Sequence, residues 1–457
     1  MTCMSVIASA AWQSRCLTGL FIFYPPDNYF PSELTKMPTA TKQDYAEKFA
    51  RIAPQTLFLN IPLSDQSFLK DKAHELRLTQ QELRELCQIS NDLFMWKEAS
   101  LKSLWPTLEL PKKTLMAKLR EAYLTIQSKA KSYEQFQASD KPKAIKPRLV
   151  TQAKENLGLG YCPVASEKTR CCNLLTLDAV ERCGFDCSYC SIQSFYHENE
   201  VRFDANFAQK LQNLQLDPRK LYHIGTGQSS DSLMWGNHNG NLAALCEFAR
   251  DNPNVILEFK TKSKNIKWLL ENDFPRNVLC TWSLNPQEII DHEEHQAASL
   301  AERLKCARKI ADKGRLVGFH FHPMIWYQGY EQAYADIAEE LINQFSPQEV
   351  ALVSMGTLTY TKDVMRTIRK RDFKSKILQM PFEKVAGKYA YPDEIKISLF
   401  RGLYSALQEW HQKVFFYLCM EPPELWQPVF GVPDYADNAA FENAMKQAYL
   451  DKVNNIS

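Results

Sequence analysis

Between residues 173 and 371 the chain alternates short apolar, β-rich runs with amphipathic helical stretches, and this alternation limits the possible folds more than any other feature. The strand candidates are 173–180, 221–226, 255–261, 278–284, 316–323 and 350–355, and the helical candidates are 206–214, 242–250, 266–271, 300–313, 330–345 and 362–371. Parallel strands need long crossovers, which helices supply, so six βα units predict an α/β fold, a partial (β/α)6 TIM-like barrel open on one side. Barrels of this kind place their chemistry at the C-terminal ends of the strands, so motifs in those loops carry the most weight.

The flanking regions differ in texture. The spacing of apolar residues predicts an α-helical N-terminal region over 37–128, with Thr41-x-x-Asp44 and Thr79-x-x-Glu82 as capping boxes. Residues 78–105 also admit a helix-turn-helix reading, although any bundle has adjacent helices. A Lys- and Pro-containing stretch over 129–150, with Lys141, Pro142, Lys143, Lys146 and Pro147, reads as a solvated linker. The barrel is expected over 151–375 and a C-terminal extension that closes it over 376–457, where Phe415-Phe416-Tyr417-Leu418 reads as a buried strand between Trp410 and Trp426. Residues 1–36 read as a poorly defined extension, with Met37 as an alternative start.

Composition sets the broad class. At 457 residues with 45% hydrophobic content there is material for a large core. The 55 basic and 53 acidic side chains nearly cancel, so no global field draws the protein to nucleic acid or lipid, and a local basic groove stays open. The apolar run 17–24 is far shorter than a spanning helix and ends in Pro25-Pro26, so no membrane segment is expected. Thirteen cysteines, an odd number and clustered, suit metal ligation in a reducing cytoplasmic compartment better than a disulfide framework.

The first strand candidate runs into Cys183-Gly184-Phe185-Asp186-Cys187-Ser188-Tyr189-Cys190, a C-x3-C-x2-C loop. Three thiolates at this spacing can each bind one iron of a compact [4Fe-4S] cluster, leaving the fourth iron without a protein ligand. S-adenosylmethionine can chelate that corner. The rival reading is zinc in a nucleic-acid-binding or structural protein, with Cys162, Cys171 or Cys172 as a fourth ligand; by default the last two are core or strand thiols.

The triplet, with Tyr189 before its last cysteine, resembles the radical S-adenosylmethionine superfamily. Ile224-Gly225-Thr226-Gly227-Gln228-Ser229-Ser230-Asp231-Ser232, Thr261-Lys262, Trp282-Ser283-Leu284-Asn285, the segment 318–323 with Gly329-Tyr330, and Gly387-Lys388-Tyr389-Ala390-Tyr391 occur in the order of the spore photoproduct lyase family. The resemblance spans about residues 170–395. It implies an enzyme that cleaves S-adenosylmethionine reductively to a 5'-deoxyadenosyl radical and abstracts hydrogen from a substrate left unidentified. Cys183, Cys187 and Cys190 would be the cluster ligands. Tyr189, the one catalytic candidate, would lie beside adenine; Gly225, Gly227 and Gln228 near the methionyl amine; and Lys262, Ser283 and Asn285 along the rest of the cofactor. A reductant such as flavodoxin or ferredoxin is the implied partner.

Several positions depart from the family pattern. Gln228 stands where the DNA-repairing lyases carry a hydrogen-donating cysteine, and Ser191 where they carry a relay tyrosine. The basic and aromatic residues that wedge into duplex DNA are thinned to Phe382-Glu383-Lys384-Val385-Ala386. Genuine thymine-dimer repair is therefore the alternative within enzymes, and nucleic acid a weakly supported partner. Tyr189, Cys280 and Tyr360 are redox-capable, and His320 and His322 share one face of the fifth strand candidate, as substrate or metal groups or as satisfied core histidines.

Overall fold

The computed structural model describes residues 42–134, 136, 147–162, 168–192, 200–385 and 387–455. Its centre is one curled eight-stranded sheet. The strands are β1 (Leu159–Tyr161), β2 (Leu175–Leu177), β3 (Tyr222–Thr226), β4 (Val255–Thr261), β5 (Val278–Ser283), β6 (Val317–Met324), β7 (Val350–Thr357) and β8 (Phe415–Leu418), neighbours in space as in sequence. All pairs from β2 to β8 are parallel, and β1 joins β2 antiparallel. Strands β4, β5 and β7 are buried along almost their whole length, as expected for parallel strands covered on both faces.

All six strand candidates and all six intervening helices form, most within two residues of the expected bounds. The difference lies at the edges. Phe415–Leu418 is a seventh parallel strand, with Met355 opposite Leu418, and β1 turns back to cap the other edge. The segments preceding β2 and following β8 meet across the gap, where the Arg170 amide donates to the Glu421 carbonyl at 3.0 Å. Cys171 and Cys172 lie in this connection, outside any strand.

The N-terminal region consists of α1 (Lys42–Ile52), α2 (Leu63–Leu76), α3 (Gln80–Trp96), α4 (Leu101–Leu104) and α5 (Lys112–Ser128). The Thr79/Glu82 capping box is present, while Thr41 lies outside the described residues. Helix α3 is committed to packing: ten of its residues are buried, and the Asp92 carboxylate accepts from the Arg369 Nε at 2.8 Å and from the Tyr123 hydroxyl at 2.8 Å. A helix held this way spends most of its surface on packing, which the plain bundle reading accounts for.

The start of the expected linker is likewise no solvated spacer. Lys131 is 3% exposed and its ammonium donates to the carbonyls of Ile126 and Gln127, while Tyr133 and Phe136 are buried. Lys141, Pro142, Lys143 and Lys146 lie outside the described residues, as does 1–36. No helix among the described residues is long and apolar enough to cross a membrane.

Candidate active site

At the C-terminal mouth of the sheet is a cavity of about 280 Å³ lined by all three motif cysteines, by Tyr189, Gly227, Gln228, Lys262 and Ser283, and on its far side by His322, Gly356, Tyr360 and Met420. The cysteine loop is shaped by short local constraints. Arg182 enters it at a left-handed φ of 69°, with its carbonyl accepting from the Ser230 hydroxyl at 3.0 Å. Gly184 follows because a Cβ there would sit 2.6 Å from Met234 Cε and 2.8 Å from Trp235 Cζ2. Cys187 then pairs antiparallel with Glu294, which fixes the middle of the loop to the connection between β5 and β6.

Two adjacent buried glutamates hold the loop. The Glu293 carboxyl accepts from the hydroxyls of Ser188, Ser375 (2.7 Å) and Tyr133 (2.8 Å) and from the Lys376 amide (3.0 Å), and burial raises its pKa. Glu294 accepts from the Tyr189 hydroxyl and from Asn285 Nδ2 (2.9 Å), and it pairs with Arg303. Burial works against its charge, but the Arg303 and Lys262 cations outweigh that and bring it down to about 2. Arg371 clamps the loop from outside through Asp186 and the Cys187 carbonyl at 3.1 Å. None of Glu293, Glu294, Arg303 or Arg371 is a sequence candidate: each acts through partners on other elements, which local periodicity does not mark.

The turn after β3 forms the opposite wall. Gly227 has φ +80°, and a Cβ there would meet the Ser232 amide nitrogen at 2.8 Å, so glycine is required both for backbone sign and for space. Asp231 ties this turn to the end of β4 by accepting from the Thr261 hydroxyl and the Lys262 amide, both at 2.7 Å, and from the amides of Leu233 and Met234. The Lys262 ammonium lies 5.8 Å from the Tyr189 ring centroid.

The structure thus brings Tyr189, Gly227, Gln228, Lys262 and Ser283 together with the cysteines, but not Gly225 or Asn285. Gly225 lies within β3, where the space a Cβ would take is closed by Leu174 Cδ2 at 3.0 Å. Asn285 is fully buried and acts at one remove, through Glu294. The two histidines divide: His320 is a satisfied core group, with Nε2 2.6 Å from Glu258 and Nδ1 2.5 Å from Ser354, whereas His322 faces the cavity. Cys280 is buried in the barrel wall, while Tyr360 reaches the cavity with its hydroxyl donating to the Tyr189 carbonyl at 3.2 Å.

The residues fit an iron–sulfur cluster better than a single ion. Cys183, Cys187 and Cys190 interact electrostatically, yet among the described residues no group of three or more His, Cys, Asp or Glu is arranged to hold one metal ion. Cys162, Cys171 and Cys172 do not line this cavity, so none stands beside the triplet as a fourth zinc ligand. Burial pushes the Cys183 and Cys187 thiols up, so their thiolate forms need an adjacent cation, which bound iron would supply.

A family model described as spore photoproduct lyase matches residues 150–414, more than half of the chain. This chain belongs to the spore photoproduct lyase family. The match reaches beyond the 170–395 carried by the motifs and takes in β1 and the approach to β8. A spore photoproduct lyase of Geobacillus sp. (strain Y412MC61) is 26% identical over 226 residues, 46% of this chain and 66% of the relative. One from Clostridium acetobutylicum (strain ATCC 824) is 21% identical over 179 residues, 38% of this chain and 53% of the relative. The chain therefore spans between half and two thirds of the curated relatives it matches. The same barrel appears in a solved spore photoproduct lyase complexed with dinucleoside spore photoproduct, at TM-score 0.50 and 20% identity, covering 68% of this chain and 88% of that one. A double variant with bound AdoMet and the same dinucleoside gives TM-score 0.50 at 18% identity, covering 73% and 94%.

Proposed function

We propose that this chain is a radical S-adenosylmethionine enzyme in which Cys183, Cys187 and Cys190 ligate one [4Fe-4S] cluster and the adjoining cavity binds S-adenosylmethionine. The observation that carries the reading is the convergence of three loop cysteines with Tyr189, Gly227, Lys262 and Ser283 in one cavity at the C-terminal ends of parallel strands. Bound together, the cluster and S-adenosylmethionine supply one-electron cleavage of a sulfonium bond and, through it, hydrogen-atom abstraction.

The chain's own residues bind and orient. Glu294 fixes the Tyr189 hydroxyl, so the ring presents a constant face to adenine. Lys262 offers its ammonium to the cofactor carboxylate and Ser283 its hydroxyl to the ribose, while the Gly227 turn lets backbone approach the methionyl amine. An external low-potential protein, of flavodoxin or ferredoxin type, supplies the electron, in a reducing compartment such as the cytoplasm.

For the substrate we favour spore photoproduct, a cross-linked thymine dinucleoside, on the strength of the family membership and of the dinucleoside held by solved relatives. A second reading, a different substrate for the same radical chemistry, is favoured by Gln228 on the cavity wall, because an amide does not readily return a hydrogen atom to a repaired thymine. The test is anaerobic reconstitution with iron and sulfide, then dithionite and S-adenosylmethionine, following 5'-deoxyadenosine with Cys187→Ala as control. Reversion of synthetic spore photoproduct carrying its phosphodiester to thymidylyl-thymidine supports the first reading. Formation of 5'-deoxyadenosine without that reversion supports the second, and absence of both defeats the proposal.

A further inference from the structure

We infer that Lys260, beside His322, forms an anion subsite for the substrate, and that the group it receives is a phosphodiester of a dinucleotide. The inference deepens the functional reading above and rests on it.

Glu258 and Lys260 alternate along β4, so their side chains share one face, and Lys262 follows just past the end of the strand; both lysines line the cavity. Glu258 is saturated: it accepts from the Thr281 hydroxyl at 2.7 Å and contacts His320 Nε2 at 2.6 Å and His223 Nε2 at 2.9 Å. Asp231, the one carboxylate among the cavity-lining residues, is saturated by its four donors. Lys262 is turned toward the Tyr189 ring and the His322 carbonyl.

Lys260 is different. It lines the cavity and is partly buried, and among the described residues no hydrogen bond or ion pair engages its ammonium. It lies close enough to depress both His320 and His322, where burial acts first and the lysine second, so both imidazoles are held neutral. A partly desolvated ammonium that no hydrogen bond engages is stabilised by an incoming anion.

Two lysines two residues apart at an extended strand end are separated by roughly 7 Å of backbone, enough for two distinct anionic groups. If Lys262 takes the cofactor carboxylate, Lys260 is left for the substrate. The space beside it is kept by Gly356, where a Cβ would stand 3.1 Å from His322 Nε2 and 3.3 Å from the Cys419 carbonyl. A single monoanionic group matches one unpaired cation, and a dinucleotide carries one such group between its two nucleosides.

The experiment compares thymidylyl-thymidine with its uncharged methylphosphonate isostere, measuring Kd for each on the reconstituted holoenzyme with S-adenosylmethionine present. The wild type is expected to prefer the charged dinucleotide by roughly tenfold or more, the usual range for a charge-assisted contact. Lys260→Gln should abolish that preference and Lys260→Arg restore most of it. Equal binding of the two probes by the wild type, or an undiminished preference in Lys260→Gln, overturns the subsite. So does a Lys260→Gln protein that loses S-adenosylmethionine instead of the dinucleotide. 5'-Deoxyadenosine release, measured on the same samples, separates this outcome from failure of the radical chemistry itself.

Discussion

At the scale of single residues, the cysteines are backed by charges that decide whether their loop keeps its shape. Glu294 and Arg303 are both fully buried, so Glu294→Gln leaves a guanidinium without its counter-charge. Loss of one partner of such a pair costs on the order of 3 kcal/mol, to be read as a lower Tm by calorimetry. The pH dependence has a definite sign. The folded protein holds Glu294 near 2 against an ordinary 4.5, so its contribution is complete above about 4.5 and fades as pH falls toward 2. The Tm gap between wild type and Glu294→Gln should therefore close on acidification; a gap that stays constant would mean that the ion pair is not its source. The cysteine spacing was legible in the chain, whereas Glu293 and Glu294 were not, because their role depends on a loop that returns to them from about a hundred residues away.

At the scale of elements, β4 to β7 and their helices are readable because buried parallel strands are rich in apolar and β-branched residues, even with Glu258, Lys260, His320 and His322 among them, and an amphipathic helix has its own period. The turn after β3 was readable as glycine-rich but not as a required geometry. Gly227→Ala tests that geometry: a left-handed alanine costs roughly 1–2 kcal/mol, and its Cβ would press on the Ser232 amide at 2.8 Å. The expected result is a raised Kd for S-adenosylmethionine, followed by equilibrium binding, with the iron content of reconstituted protein retained because the cysteine loop lies on another element. Equal loss of iron would show that the two loops fold as one. Strand β8 is legible as a buried strand that closes the barrel, but not its partner, since pairing with β7 is a long-range choice that local pattern does not encode.

At the scale of the whole molecule, the helical region is fastened to the barrel by polar contacts of specific geometry. Asp92 meets Arg369 in a buried pair, the Ser375 amide donates to the Met95 carbonyl at 3.0 Å, and Lys376 Nζ donates to the Trp96 carbonyl at 3.2 Å. Ser375 and Lys376 also bind Glu293, so the same short segment touches both the helical region and the support of the cysteine loop. Asp92→Ala strands Arg369 in the interior, at a cost of about 3–5 kcal/mol. The expected outcome is an earlier thermal transition in which residues 42–128 become protease-sensitive before the barrel does; a single transition at the wild-type Tm would deny the coupling.

The sequence by itself determined the barrel, its open-sided class and the close spacing of the three cysteines that come to line one cavity, because periodicity and spacing are local properties. Only the tertiary structure decided that Asn285 works through Glu294, that His320 belongs to the core while His322 faces the cavity, and that the first part of the linker is buried. Each of these depends on which distant segment arrives opposite a side chain, and burial and hydrogen bonding are then set by that neighbour and not by the residue's own type.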